Sequence, residues 1–480
     1  MEEVKDYISD LPDAILHQIL SSIPTKYVVS LSSVSKRWRE ISADHLLYAT
    51  TLDFGEEFAK KQTPDQLSDT LNSILNLNRS EKIQKLKLIF SPRNDEHRNN
   101  ATDWISFATS RGVQELDLDF CRQIQIHFLT RAHVIGKKEA FVLPEFLFDC
   151  RTLLTVKLSR CILDLPEKYA GFRSIQTVCL KEVHLTDHML ECFLHTCTLL
   201  QVLVLKECGA LTAIRIGSDT RLQRVTVYEC YNASIIEISG PKIKSLLISA
   251  GHLDACKLED MFVLEEVFIG TRGDEFGGVF SIFIDVFPDL SHPNLIKDFQ
   301  VEFSNLQELN LLNSPLFGLF NSDVYCFFRH CNCPSLQKIS IELSTVSEEE
   351  NFIWEFRKPK VMPKERDFNS LRSITLRNFR GTTSDIELAT YFLQRAPSLE
   401  LMQLIAPQSL SAKRTTIKEE VSYITLKEKE AKVWQKAVCE KLRYYPKASD
   451  VADIRVCESD EGDSLLSFFK WHHVIDVYHR

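Results

Sequence analysis

The 480-residue sequence lacks the features of an exported, membrane-spanning or nucleic-acid-binding protein. The first residues, MEEVKDY, are acidic and contain no apolar core of a signal peptide. The stretch that comes nearest to a membrane span, GGVFSIFIDVF, is too short and contains Asp285. The formal net charge is −9 and basic residues are nowhere concentrated, which argues against nucleic acid as the main partner. We therefore expect a soluble protein of the cytoplasm, the nucleus or both, with no membrane or nucleic-acid partner.

Enzyme signatures are also missing. The sequence contains no glycine-rich phosphate loop, no nucleophile elbow and no His-Glu-x-x-His motif. The nearest approach to a metal cluster is the set His184, His188, Cys192, His195 and Cys197. These residues lack the close Cys-x-x-Cys pairs of structural zinc sites, so packing inside a repeat is favoured over the zinc alternative. We expect no catalytic residue, no cofactor and no metal.

What the sequence does contain is a repeat. The pattern apolar, two free residues, apolar, one free residue, apolar occurs twelve times from residue 83 onward, spaced 21 to 25 residues apart between residues 175 and 264. This period is typical of leucine-rich repeats. The copies are IQKLKL at 83, VQELDL at 113, LLTVKL at 153, IQTVCL at 175, LQVLVL at 200, LQRVTV at 222, IKSLLI at 243, LEEVFI at 264, LQELNL at 306, LQKISI at 336, LRSITL at 371 and LELMQL at 399.

The repeat predicts an α/β solenoid, a horseshoe of irregular leucine-rich repeats with a parallel concave sheet. The polar slot that follows each strand holds Cys121, Cys161, Cys208 and Cys230, which we expect to be buried and hydrogen-bonded to backbone. The fourteen cysteines are therefore interpreted as reduced thiols rather than a disulfide framework.

The free positions of each strand are expected to point out of the concave sheet. Lys157, Lys181, Lys206 and Arg224 would then stack into a basic ridge, with Tyr228, Leu247 and Phe268 as apolar anchors. This arrangement predicts a binding surface for an acidic ligand or peptide, whose candidate substrate-binding residues are Lys157, Lys181, Lys206, Arg224, Tyr228 and Phe268. The alternative is ordinary solvated charge on an exposed sheet.

The first 45 residues predict three short helices with apolar stripes. Asp10 is placed to cap the first helix, Thr25 the second and Ser35 the third. A unit of about 40 residues is too small to bury a sufficient core by itself. Its surplus apolar surface is therefore a candidate interface.

This opening segment, DLPDAILHQILSSIPTKYVVSLSSVSKRWREI, resembles an F-box over residues 6–45. The resemblance implies docking on a Skp-class adaptor. The residues at positions that contact the adaptor in that family, or support the contact, are Leu11, Pro12, Ile15, Leu16, Ile19, Leu20, Val28, Leu31, Val34 and Trp38.

An F-box followed by leucine-rich repeats at 80–404 resembles the substrate receptors of SCF-type cullin–RING ubiquitin ligases, especially the large plant set. Residues 368–404 are similar to the FBD motif of such plant proteins, on the strength of Gly381, the helix 387–393, Ala396 and the strand SLELMQL. Residues 405–480 are expected to form a C-terminal cap or extension, with a charged helix in LKEKEAKVWQKAVCEKL.

The resemblance implies a non-catalytic subunit that reaches cullin and RING subunits through the adaptor and holds a protein substrate of unknown identity on its repeats. Two alternatives stay open at this point. One is an F-box scaffold that binds the adaptor without substrate turnover. The other is a small-ligand receptor that uses the concave face of the solenoid.

Overall fold

The structure is a computed structural model. It describes residues 8, 11–60, 62–120, 140–166, 171–250, 255–271, 301–313, 324–325, 328, 331–343, 367–407, 433–442 and 444–457. The chain divides into two compact units, Met1–Leu211 and Thr212–Arg480. Each unit is built on its own run of parallel strands.

The first unit begins with three helices, as the apolar stripes predict. They are α1 (Asp13–Ser21), α2 (Thr25–Leu31) and α3 (Lys36–Leu47). The other elements of this unit are β1 (Thr51–Phe54), α4 (Glu56–Ala59), α5 (Pro64–Leu77), β2 (Lys85–Ile89), α6 (Asp95–Ser110), β3 (Glu115–Asp119), β4 (Phe141–Val142), a 3-10 helix (Glu145–Asp149), β5 (Thr155–Ser159), β6 (Cys161–Ile162), β7 (Thr177–Lys181), α7 (Asp187–Thr196) and β8 (Val202–Lys206).

The caps of the three N-terminal helices follow the prediction only in part. Pro12 occupies the N-cap position of α1, and Asp10, the predicted cap, lies outside the described residues. Pro24 occupies the N-cap position of α2, so the prediction that Thr25 caps this helix is wrong. Ser35 caps α3 as predicted, because its hydroxyl accepts a backbone N–H of the first turn at 3.2 Å. The fixed φ of proline suits the start of a helix, which explains how α1 and α2 begin without a side-chain cap.

The main sheet of the first unit has the strand order β1-β2-β3-β5-β7-β8, and every neighbouring pair is parallel. The register aligns the apolar positions of successive repeats, so that Leu52, Leu86 and Leu116 lie side by side. All three are almost fully buried. β4 and β6 form a separate parallel pair.

The second unit repeats this construction. Its elements are β9 (Ala213–Ile216), β10 (Arg224–Cys230), β11 (Ile235–Ser239), β12 (Ser245–Ala250), β13 (Ala255–Glu259), β14 (Glu266–Thr271), β15 (Val301–Glu302), β16 (Glu308–Asn313), β17 (Cys331–Asn332), β18 (Lys338–Glu342), β19 (Ser373–Arg377), α8 (Thr383–Leu393), β20 (Leu401–Ile405), a helix over 433–442 and β21 (Asp453–Cys457). The main sheet runs β10-β12-β14-β16-β18-β19-β20-β21, all parallel. β9, β11 and β13 form a second parallel sheet.

The predicted α/β solenoid is confirmed, because each of the twelve sequence copies contains a strand of these parallel strand runs. The strands also extend beyond the predicted range 80–404 at both ends, with β1 before it and β21 after it. Both extra strands follow the same spacing of apolar residues, in ATTLDF from Ala49 and in VADIRV from Val451. The predicted limits are therefore narrower than the strand run.

The slot cysteines that the structure describes are all buried, as predicted, and thiol hydrogen bonds to backbone are present at Cys208 and Cys230. Cys161, Cys208 and Cys230 are buried, and Cys121 lies outside the described residues. The thiol of Cys208 donates to the carbonyl oxygen of Leu180 at 3.5 Å. A small buried thiol thus satisfies backbone at the turn that follows the strand.

The segment similar to the FBD motif comprises β19, α8 and β20. The helix begins at Thr383, four residues before the predicted start, because Thr382 and Asp385 form a capping box. Gly381 has a φ of +75°, and a Cβ there would lie 2.8 Å from a methyl carbon of Val438. The 433–442 helix therefore packs closely on the loop before α8. The indole N–H of Trp434 reinforces the contact by donating to the carbonyl oxygen of Arg380 at 2.8 Å.

The longer gaps between sequence copies contain helices in several places, and α6 fills the gap between β2 and β3. None of the helices in the described parts of the chain has both the length and the apolar character of a membrane span.

Candidate functional site

The three N-terminal helices form a small hydrophobic core of their own. Four of the ten residues predicted to serve adaptor binding lie inside this core rather than on its surface: Leu16, Leu20, Val28 and Trp38. Leu11 and Leu31 are half-buried and pack against the same cluster. These six side chains fix the arrangement of the helices, and their part in adaptor binding stays a prediction.

The other four predicted residues are exposed. Ile15 and Ile19 are 43% and 39% exposed and lie one turn apart on the same face of α1. Val34, in the turn before α3, is 64% exposed, and Pro12 is exposed at the start of α1. We call Pro12, Ile15, Ile19 and Val34 the F-box apolar surface. Large apolar side chains grouped on the surface of a small helical unit are typical of a protein interaction site.

Two further exposed residues belong to the same helical group but were not predicted. Ile8 precedes the Leu-Pro pair, and Tyr27 lies in the first turn of α2. The sequence feature that could have identified Tyr27 is its position beside the apolar stripe of α2 rather than within it. A large side chain that leaves the buried stripe of a helix is a candidate contact residue.

The helical group is attached to the first strands of the solenoid by polar contacts. The hydroxyl of Thr25 accepts the backbone N–H of Asp53 in β1 at 2.9 Å, and Lys26 pairs with Glu57 in α4 at 3.0 Å. The side-chain amide of Asn78 donates to the carbonyl oxygens of Leu46 and Ala49, each at 3.0 Å. The three helices are thus fixed to the first unit while the F-box apolar surface stays exposed.

The candidate residues of the repeats do not form one basic ridge. Lys181 and Lys206 are neighbours on β7 and β8. Lys157 is in register with Cys179, which lies two residues before Lys181 on β7. Arg224 is in the second unit, at the start of β10, where its neighbour is Ser245.

Three of these candidates are buried. Lys157 is 3% exposed, Tyr228 is 7% exposed and Phe268 is 4% exposed. Leu247 is in register with Phe268 and is buried as well. The predicted exposure of these residues is therefore wrong, whereas Lys181, Lys206 and Arg224 keep part of their surface. A substrate-binding role stays a prediction, and these three basic residues are its remaining candidates.

The charges on the first-unit sheet neutralise one another. One carboxylate oxygen of Glu115 lies 2.9 Å from the ammonium of Lys85 and 3.5 Å from that of Lys157. Lys87 lies 3.7 Å from Asp117. Successive strands thus alternate in sign, with basic β2, acidic β3 and then Lys157 on β5.

The same alternation continues at the ends of the strands. The guanidinium of Arg160 pairs with Asp119 and also contacts Glu182 at 3.2 Å. Burial raises the pKa of Asp117 and that of Asp119 above their usual value, and the neighbouring basic groups oppose this shift. Because Asp117 pairs with Lys87 and Asp119 with Arg160, these carboxylates are elements of a structural network.

The cysteines and histidines that resemble a metal cluster are not assembled into one. The closest pair is His188 and Cys192, whose Nε2 and Sγ atoms are 3.6 Å apart on α7. Within the described ranges, no group of three or more histidine, cysteine or acidic residues is placed to hold a metal ion. Burial also raises the pKa of the thiols of Cys179 and Cys197 to about 12, so both are protonated at neutral pH.

Known protein families match both parts of the chain. The family model described as F-box domain matches residues 8–50, and the model described as At1g61320/AtMIF1, LRR domain matches residues 74–447. The second match covers well over half of the chain.

Curated proteins of Arabidopsis thaliana are similar over most of the length. The FBD-associated F-box protein At4g10400 is 26% identical over 435 residues, which are 86% of this chain and 96% of that protein. The F-box/FBD/LRR-repeat protein At1g78750 is 24% identical over 87% of this chain and 94% of its own length. The F-box/LRR-repeat protein At3g26922 is 31% identical, covering 55% of this chain and 82% of its own length.

Proposed function

The chain belongs to the plant F-box/leucine-rich-repeat family with FBD-like features, and we propose that it is the substrate-recognition subunit of an SCF-type cullin–RING ubiquitin ligase. An F-box implies binding to a Skp-class adaptor, and this family is generally non-catalytic. The proposal is that the chain assembles with cullin and RING subunits through this adaptor and captures a protein substrate.

The observation that carries the proposal is the F-box apolar surface. Ile15 and Ile19 expose large aliphatic side chains on a nine-residue helix whose buried residues, Leu16 and Leu20, pack in the core of the three helices. Exposed aliphatic groups of this size gain free energy only when another surface covers them, at roughly 25 cal/mol per Å² of apolar area removed from water. A protein partner is the natural cover.

In the proposed complex this chain supplies no acid, base or nucleophile. It holds a substrate close to a ubiquitin-loaded enzyme, so the rate gain comes from proximity. The substrate is a protein bound by the repeats. Lys181, Lys206 and Arg224 are the first residues to examine, because they retain exposed surface.

We also propose that the complex works in the cytoplasm, the nucleus or both.

The direct test is the affinity of the purified chain for a Skp-class adaptor. The double variant Ile15→Asp/Ile19→Asp should weaken binding by about 100-fold or more, because two charges would have to be desolvated at the interface. Val433→Asp/Val451→Asp is the matched control, since it introduces the same two charges at exposed apolar residues of the second unit. Equal affinities of all three proteins, or no binding by the unaltered chain, would refute the proposal.

A second experiment separates a substrate receptor from a scaffold. Proteins that copurify with the chain would be identified, and their half-lives compared in cells that express the unaltered chain or Ile15→Asp/Ile19→Asp. A bound protein whose half-life lengthens with the variant is a substrate. Unchanged half-lives for every bound protein would instead support the scaffold.

A further inference from the structure

Arg37 connects two segments of the F-box that are far apart in sequence. It lies in the first turn of α3, and its guanidinium donates to the backbone carbonyl oxygen of Leu11. The same Nη2 atom lies 2.7 Å from the carboxylate of Asp13 in the first turn of α1. One side chain thus contacts both the residue before Pro12 and the residue after it.

The start of α1 is fixed by this contact rather than by a side-chain cap. Pro12 offers no backbone N–H, and no side chain caps this helix. The N–H of Leu11 is bonded to the carbonyl oxygen of Ile8 at 3.1 Å, which is a local turn. The guanidinium of Arg37 is a planar donor that can hold a carbonyl and a carboxylate together, and it ties this turn to α3.

The contact also joins the two parts of the F-box apolar surface. Pro12, Ile15 and Ile19 come from the start and body of α1, whereas Val34 comes from the turn three residues before Arg37. A partner that covers both parts at once requires a fixed spacing between them. The Arg37 contact to Leu11 crosses between these segments and sets the position of one relative to the other.

We propose that Arg37 is a positioning residue that holds the Leu11–Pro12 turn and the start of α1 in the conformation that a Skp-class adaptor binds. The inference rests on the proposed function. The bond to the Leu11 carbonyl is the main tie. The Asp13 pair is secondary because both of its side chains are substantially exposed, and exposed ion pairs contribute little.

The test compares Arg37→Gln with Arg39→Gln, a matched change two residues further along α3. Arg39 is exposed and donates to the carbonyl oxygen of Ser32, seven residues earlier, at 3.2 Å, a contact that does not reach α1. Arg37→Gln should lower adaptor affinity about ten-fold, because only a fraction of the molecules would hold the competent conformation. Arg39→Gln should stay within about two-fold of the unaltered chain, and Asp13→Asn within about three-fold.

Hydrogen exchange in the free protein shows whether Arg37 acts through position. The amide protons of Leu11, Ile15 and Leu16 are hydrogen-bonded around the start of α1. They should exchange faster in Arg37→Gln, while the amide of Arg39, bonded to Ser35 in α3, should not change. Weaker binding with unchanged exchange would mean that Arg37 contacts the adaptor directly, and it would overturn the inference.

The remaining outcomes are also decisive. Unchanged affinity of Arg37→Gln, with the unaltered chain binding normally, would refute the positioning role and leave the proposed function intact. Failure of the unaltered chain to bind would refute the proposed function, whereas the exchange measurement needs no adaptor and still tests the tie. If Arg37→Gln does not fold, Arg37→Lys replaces it, since it keeps the charge and loses the planar fork. An intermediate loss of affinity and of protection from exchange is then expected. Unchanged affinity and unchanged protection would overturn the inference.

Discussion

The F-box apolar surface and the strand face of the repeats have the opposite exposure to that expected from their residue types. Ile15, Ile19 and Val34 are aliphatic and yet exposed. On the strands, the charged Lys157 and the aromatic Phe268 occupy positions that alternate with the core, and both are buried. Residue type alone therefore does not identify the binding surface. Whether a side chain is exposed depends on how many neighbouring strands or helices cover it.

A strand inside a parallel run has a neighbour on each side at about 4.8 Å. Lys157 lies between Asp117 and Cys179, so its side chain is covered from both sides. α1 has no such flanking copies. Its buried residues Leu16 and Leu20 pack on the small helical core, and the opposite face remains exposed.

The largest expected effect is the loss of a ring from the strand face. Phe268→Ala should lower the free energy of unfolding by about 3–5 kcal/mol, because it empties a buried site in β14. Phe262→Ala removes the same ring from a residue that is 70% exposed and should change stability by less than about 0.5 kcal/mol. Denaturant unfolding of both variants makes the comparison. Equal stabilities would show that Phe268 is an available anchor after all.

A smaller loss is expected from the charge network. Lys157→Ala should cost about 1–3 kcal/mol, because it removes a buried partner of Glu115. The remaining pair with Lys85 limits the damage. Lys244→Ala breaks an exposed pair with Glu265, 3.0 Å long, and should cost less than about 1 kcal/mol. If the two lysine variants unfolded alike in denaturant, Lys157 would be a surface residue available to a substrate.

The comparison also shows what the sequence can predict. The spacing of apolar residues located twelve strands, because one face of every strand must be buried and this requirement repeats with each turn of the solenoid. The same spacing is present in β1 and β21. Before β1 the first apolar position is filled by the small Ala49, which weakens the pattern, whereas Val451 and the β21 residues Ile454 and Val456 fit it in full beyond the predicted limit.

The spacing of apolar residues could not predict which side chains on the other face of the strands are buried. Alternation along a strand says which side a residue is on and not whether that side is covered. The coverage of Lys157 depends on Glu115, 42 positions earlier in the chain, through a register that only the folded sheet establishes. In the F-box, the helical stripe likewise grouped Leu16 with Ile15. It could not separate the core residue from the exposed one.

A pH series tests the strand face more finely. Burial raises the pKa of Asp117 in the folded protein, so the folded state keeps this proton to a higher pH than the unfolded state does. The unaltered protein should therefore lose stability relative to Asp117→Asn as the pH rises above about 4, until the raised pKa is passed. Unfolding free energies of both proteins across this range supply the measurement. The opposite trend would mean that Lys87 and Lys157 outweigh burial.

The smallest expected change in stability belongs to the F-box apolar surface. Ile15→Ala/Ile19→Ala should alter the free energy of unfolding of the free chain by less than about 0.5 kcal/mol, because both side chains are already exposed to water. Leu20→Ala, in the same helix, empties a fully buried site and should cost about 2–5 kcal/mol. Thermal and denaturant unfolding of the free chain distinguish the two. A loss of several kcal/mol in the double variant would mean that this chain covers its own apolar surface, and no face would then remain for an adaptor.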